Sequence, residues 1–209
     1  MKSRRLRRTY RKRNLPRLAI KSNAMMCTRK VVLGTVGTQV GTGWTSYPYS
    51  FRFDDIVSYA ELQSVFDCYK INAIKLTFTP YWDSNDVSNQ TGFTGVLPRV
   101  FTLIDRNGIP SGALATEDLF LEYGNARQIR NPQRPFNIYI KAPGVELSSA
   151  GAITSLPAVT KYKPWIDTSN TTIPHNGCAI GMVIPAGTST MGFYYHVVAT
   201  FYLQFKNVV

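Results

Sequence analysis

Apolar positions in this chain alternate in short stretches far more often than they recur at helical spacing, which predicts strands joined by loops. In residues 31–40, Val32, Gly34, Val36, Thr38 and Val40 alternate with Val31, Leu33, Thr35, Gly37 and Gln39, and the β-branched content predicts a first strand. Gly34, Gly37, Gly41 and Gly43 have the spacing of neither a dinucleotide fingerprint nor a phosphate loop with its lysine, so they predict bulges or bends. In residues 49–53, Tyr49, Phe51 and Phe53 share one side and Arg52 takes the other, continuing the sheet. Ser58-Tyr59-Ala60-Glu61 has the form of a capping box, and Leu62, Phe66 and Tyr69 follow at helical spacing, predicting one short helix.

Residues 70–81 predict a strand with Ile74, Leu76 and Phe78 on one face and Lys75, Thr77 and Thr79 on the other, ended near Pro80. Residues 96–105 predict another, followed by a turn at Asn107-Gly108 and Pro110. Thr116, Glu117 and Asp118 open a short helical turn within 116–123. Phe136, Ile138 and Ile140 alternate with Asn137, Tyr139 and Lys141. Residues 83–95 and 144–176 are polar and glycine-bearing, which predicts long surface loops, the second anchored by Tyr162 and Trp165. Residues 178–184 form a compact apolar strand. The last strand has Phe193, Tyr195, Val197, Ala199, Phe201, Leu203 and Phe205 on one face, and Tyr194, His196, Thr200, Tyr202 and Gln204 on the other. About eight strands with one or two short helices predict an all-β fold, an eight-stranded antiparallel jelly-roll sandwich. Periodicity does not give the strand order.

Charge adds a second part. Of the chain's 24 lysines and arginines, twelve lie in the first thirty residues, and the first carboxylate is Asp54. The remaining twelve balance twelve Asp and Glu, so the net +12 sits on residues 1–30 and residues 31–209 are formally neutral. That division predicts a basic arm followed by one domain, the arm disordered until a polyanion neutralises it. Candidate nucleic-acid-binding residues are Lys2, Arg4, Arg5, Arg7, Arg8, Tyr10, Arg11, Lys12, Arg13, Arg17 and Lys21. Their guanidinium forks can hold phosphate oxygens bidentately while Tyr10 stacks on an unpaired base, which is backbone binding without sequence readout. Arg4, Arg5, Arg7, Arg8, Arg11, Lys12 and Arg13 also satisfy the loose basic-cluster signature of nuclear import. On composition alone, a solvated tail without a partner and a mitochondrial transit peptide stay open.

Arg4-Arg5 is a twin arginine, but Pro16, Arg17 and Lys21 interrupt Leu15, Leu18, Ala19 and Ile20, leaving no apolar run for export. No stretch approaches the roughly 20 apolar residues of a membrane helix, so no membrane insertion is expected. Cys27, Cys68 and Cys178 are three, without framework spacing, and are expected as buried thiols in a reducing compartment. Two histidines, His175 on a loop and His196 on a polar strand face, are too few for a metal or a nucleophile–base pair. The acid pairs Asp54-Asp55 and Glu117-Asp118 suit caps and solvated turns. No catalytic residue, metal or cofactor is expected.

The run Phe66-Asp67-Cys68-Tyr69-Lys70-Ile71-Asn72-Ala73-Ile74-Lys75-Leu76-Thr77-Phe78-Thr79-Pro80 resembles the helix-to-strand segment of circovirus and cyclovirus capsid proteins. Those read Phe-Asp, any residue, Tyr-Arg-Ile, then a basic alternating strand. The arginine-rich start, residues 132–140 and the closing strand ending Gln204-Phe205 are similar to the same family. Departures are Lys70 where arginine is common, a shorter basic arm and little extension beyond the last strand. The resemblance implies a virion coat subunit, sixty copies closing an icosahedral shell around circular single-stranded DNA, with the arm inside. It also implies host import receptors, passage through the nucleus and an unidentified host cell-surface receptor. Two alternatives stand beside it: a non-viral, lectin-like jelly-roll module with a basic tail, and the capsid of a small RNA satellite virus.

Overall fold

The computed structural model describes residues 24–38, 43–81, 97–106, 114–141, 143–147, 159–184 and 192–208. Two antiparallel sheets face each other. In the first, β1 (Met25–Gly37) pairs with β11 (Tyr194–Val208), β11 with β3 (Phe66–Pro80), and β3 with β6 (Phe136–Lys141) and with the two-residue β9 (Ile166–Asp167). In the second, β10 (His175–Val183) pairs with β2 (Trp44–Phe51) along one edge and shares its other edge between β4 (Arg99–Ile104) and β7 (Gly144–Leu147). Beyond β4 lies β5 (Arg127–Gln128), and beyond β7 lies β8 (Val159–Tyr162).

The orders β1-β11-β3-β6 and β2-β10-β4-β5 carry the sandwich. Among these eight, each consecutive pair of strands changes sheet except β4 and β5, so the chain rolls around the core instead of finishing one sheet first. That is the expected jelly roll, with β7, β8 and β9 as short additions.

Period-two alternation fills the space between the sheets. Tyr69, Ile74, Leu76 and Phe78 from β3, Val197, Ala199, Phe201 and Phe205 from β11, and Cys178, Ile180 and Met182 from β10 are all buried in one cluster. Aromatic rings carry much of that volume: Phe53 stacks on Tyr69 with centroids 4.3 Å apart, Phe66 on Phe205 at 4.8 Å and Phe78 on Phe136 at 4.9 Å.

The outer sides of the two sheets differ. Over the second sheet lies another apolar cluster, in which Phe101, Leu103, Ala179 and Val183 pack with Leu114, Phe120 and Trp44. Phe120 comes from α2 (Glu117–Leu121), whose first turn is closed by Leu119 N–H donating to Thr116 Oγ1. The first sheet has no such cover among the described residues.

Several expectations move. The first strand starts at Met25, not near residue 31, because β11 offers partners down to Phe205; the predicted irregularity at Gly34 is present, with φ of 98° and a register shift beside it. The helix shrinks to α1 (Tyr59–Gln63) and its capping box stays open: Ser58 makes no cap bond, and its hydroxyl accepts from Arg29 Nε at 3.3 Å. Phe66 and Tyr69 belong to β3, where stacking against Phe205 and Phe53 outweighs one more helical turn. Within 144–176, expected as loop, β7, β8 and β9 pair through the backbone, and His175 begins β10. The expected loop 83–95 and the turn at 107–110 lie outside the described residues.

Candidate nucleic-acid and assembly surfaces

Lys2, Arg4, Arg5, Arg7, Arg8, Tyr10, Arg11, Lys12, Arg13, Arg17 and Lys21 all lie outside the described residues. The structure does place the start of the body beside them in sequence: Met25 pairs with Phe205, at the end of β11. Arg29 and Lys30, counted above with the arm, are part of β1. Arg29 pairs with Phe201 on the core-facing parity and reaches the edge, where its guanidinium donates to Ser58 and to the Thr28 carbonyl. Lys30 is exposed opposite Thr200.

Strand register assembles the uncovered face of the first sheet. One rung runs Lys30, Thr200, Lys75, Tyr139; the next runs Thr28, Tyr202, Ala73, Lys141; a third joins Met26, Gln204 and Lys70. Lys206 follows two residues after Gln204 on the same side. Trp165 stands just before β9, which pairs with Cys68 and Tyr69 of β3. Lys70 Nζ lies 4.4 Å and Lys206 Nζ 4.8 Å from the Trp165 ring centroid, while the ring keeps 37% of its surface exposed. Burial, and then repulsion from Lys163 and Lys206, pull the Lys70 ammonium below the usual lysine pKa. None of these lysines makes an ion pair among the described residues. The carboxylate in register here, Asp167 opposite Cys68, accepts from Ser169 N–H at 2.8 Å, and hydrogen bonding from the Ser169 hydroxyl and, second, from its N–H holds it below the usual carboxylate range.

Catalytic geometry does not assemble among the described residues. His175, expected on a loop, opens β10 and is 1% exposed, with Nδ1–H donating to the Ile173 carbonyl at 3.0 Å. Burial depresses its pKa to about 4, against the smaller opposing effect of backbone bonds. His196 pairs with Thr79 in the other sheet. Cys178 is fully buried and its thiol is pushed up by desolvation, whereas Cys27 and Cys68 are half-buried instead of buried as expected. Asp55 accepts from Arg52 N–H at 2.7 Å and Glu117 pairs with Arg99 at 3.0 Å, so both sit in turn and helix-start roles. No group of three or more His, Cys, Asp or Glu converges among the described residues, and no helix there is long and apolar enough to cross a membrane. A cleft of about 440 Å³ between β4, β5 and β6 is lined by Thr102, Asn125, Arg127, Asn137 and Tyr139, without an acid–base pair.

Apolar groups are also left in solvent. Val57 is 92% exposed, Val65 lies just past α1, Leu119 and Leu121 project from α2, and Met25, Met26 and Val32 line β1. β1 is an edge strand of thirteen residues, and its outer backbone edge pairs with no described strand. Long unpaired edges and exposed apolar groups are surfaces that a second copy can cover.

The model of the family described as circovirus capsid protein matches residues 1–209. The fold is similar to that of the 60-mer BFDV capsid protein, with a TM-score of 0.61 at 16% identity over 89% of this chain and 96% of that one. It is also similar to the decameric BFDV capsid protein, TM-score 0.53 at 16% identity over 88% and 98% of the two chains. A capsid of a Macrobrachium rosenbergii nodavirus shares the fold at TM-score 0.51 and 11% identity, over 88% and 95%. No curated protein matches the sequence. The lysines of β3, β6 and β11 escaped notice at the sequence level because strand order, not spacing, brings them together.

Proposed function

The chain belongs to the circovirus capsid protein family, and on that premise we propose that it closes a small icosahedral shell of sixty copies around circular single-stranded DNA. It is a capsid protein with a structural and not a catalytic role. The observation that carries the reading is the family match across all 209 residues, basic arm included. The 60-mer of the BFDV protein supports the copy number by similarity of fold, and the open edge of β1 with its exposed apolar neighbours offers surface for self-association.

Cargo binding falls to the arm. Its arginines neutralise phosphate without reading bases, so the strand is taken up by charge and flexibility, and release of counterions drives the uptake. Arg4, Arg5, Arg7, Arg8, Arg11, Lys12 and Arg13 double as the nuclear import signal before assembly, so import receptors and the viral genome bind the same residues at different times. Attachment to a host surface receptor would use the opposite, outer side of the shell.

Electron microscopy of the purified full-length chain tests the reading. Closed particles with nucleic-acid absorbance, which fall apart or empty at high salt, are expected. A monomer or small oligomer indifferent to salt would instead identify a lectin-like binding module.

A further inference from the structure

The uncovered face of the first sheet is more than a solvated surface. Its described strands carry Lys30, Lys70, Lys75, Lys141 and Lys206 against Asp67 and Asp167, and the lysines are gathered by register instead of being dispersed by it. We propose that this face is a second strand-binding site on the folded body, in which Lys70 and Lys206 over Trp165, with Lys163 near Lys70, clamp a phosphate of single-stranded nucleic acid. The proposal rests on the packaging reading and adds a site to it.

Two ammonium groups held within 5 Å of one indole are attracted to the ring but repel each other, and a third lysine adds to that repulsion. An anion between them relieves it. Asp167, the carboxylate nearest in register, is turned into the bend at Ser169. The unfilled role fits a phosphodiester, whose oxygens can accept from several ammonium groups at once.

Two neighbours extend the clamp into a track. Tyr202 and Tyr139 pack edge to face at 6.1 Å, with Tyr139 52% exposed, and Lys141 and Lys75 lie in the same two rungs. An exposed ring between basic groups is the combination that stacks an unpaired base while its phosphates are neutralised. At the other end, Met26 shares a rung with Gln204 and Lys70, so the arm leaves the body at the corner where the clamp sits. A strand held by the arm can continue onto the sheet without a break. Among the described residues, the outer side of the second sheet offers nothing comparable, since Phe101, Phe120 and Trp44 cover it. The β1-β11-β3-β6 sheet therefore faces the interior of the shell.

Ultraviolet cross-linking of full-length particles that carry nucleic acid, followed by peptide mapping, is the direct test. Adducts are expected on peptides holding Trp165, Tyr202 or Tyr139 as well as on the arm. Adducts confined to residues 1–23 overturn the second site and leave packaging intact, whereas particles without nucleic acid overturn packaging itself. In the full chain, the variant Lys70→Gln/Lys163→Gln/Lys206→Gln should lower the salt slope of oligo(dT) binding by about 0.7, the contribution of one neutralised phosphate on a single strand. An unchanged slope in a variant that melts normally overturns the clamp; if the triple variant does not fold, Lys206→Gln alone should lower the slope in the same direction by a smaller amount. Loss of binding to a heparin fragment with oligo(dT) binding unaffected assigns the face to sulfated polysaccharide outside the shell, and likewise overturns the proposal.

Discussion

The indole of Trp44 occupies the space that a side chain at Gly181 would fill. A Cβ built on Gly181 collides with Cη2 and Cζ2 of Trp44 and lies 3.2 Å from Phe120 Cδ2. The indole cannot simply swing away, because its Nε1–H donates to the Leu114 carbonyl at 2.9 Å and its ring meets Phe120 edge-on at 5.4 Å. Gly181 thus lets the second sheet accept its outer apolar cluster. Gly181→Ala is expected to destabilise the fold by about 1–3 kcal/mol through overpacking, read as a lower denaturant midpoint. A midpoint equal to that of the parent would mean that the cluster yields freely.

How far the sequence discloses this follows from the range of each interaction. Alternation along residues 70–81 and 193–205 was legible because each residue's burial is set by its own strand's two faces. Gly181 and Trp44 were not, since their contact depends on β2 pairing with β10 across more than a hundred residues. Phe66 and Tyr69 looked helical for the same reason: nothing local shows the rings of Phe205 and Phe53 waiting for them. β7, β8 and β9 are two to four residues long, too short for any period to show. The arm was legible as charge alone, while the basic sheet face needed four strands to be placed side by side before its lysines became one feature.

His175 ties stability to pH. Its folded pKa of about 4 lies below the ordinary 6.5 because burial disfavours the charged imidazolium. The sign follows from proton uptake: below 6.5 the unfolded chain binds a proton that the folded one refuses, so this residue lowers stability as pH falls from 6.5 towards 4. The loss amounts to about 3 kcal/mol, at ~1.4 kcal/mol per pH unit. Denaturant midpoints measured across that window should fall in the parent and stay flatter in His175→Phe. Parallel curves would show that other groups govern the acid limb.

Binding of cargo should depend steeply on salt and little on sequence. With twelve positive charges in the first thirty residues, even six to ten phosphate contacts on a single strand, at a slope of ~0.7 each, imply a loss of roughly 300- to 16,000-fold in affinity between 50 and 200 mM salt. Unrelated single-stranded oligonucleotides of equal length should bind alike. A ~100-fold preference for one of them, measured by fluorescence anisotropy at fixed salt, would require a base-reading element that a backbone-binding arm does not supply.

Removing the arm should separate folding from cargo, and the start of β1 sets where the cut belongs. Deleting residues 1–23 leaves every rung between β1 and β11 in place, so circular dichroism should keep its β-rich shape and a cooperative melt. Deleting residues 1–28 also strips the pairs Met25–Phe205, Met26–Gln204, Cys27–Leu203 and Thr28–Tyr202. The core beneath Phe205 and Leu203 then loses part of its edge, and this longer deletion should melt lower than the shorter one. Both should lose nuclear accumulation and most of the co-purifying nucleic acid, because all seven candidate import residues and all eleven candidate binding residues are gone. What remains should be the weaker binding of the sheet face, released at ~0.15 M salt. Nuclear accumulation of the shorter deletion would place the import signal in the body, and undiminished nucleic acid at that salt would assign packaging to the sheet instead of the arm. On the packaging reading, assembly would set two effects against each other: arms inside an empty shell would repel one another, yet they would gather around a common polyanion that brings subunits together. If repulsion is the larger effect, the shorter deletion should form empty shells at subunit concentrations where the parent needs nucleic acid, and light scattering with and without added oligonucleotide measures that difference.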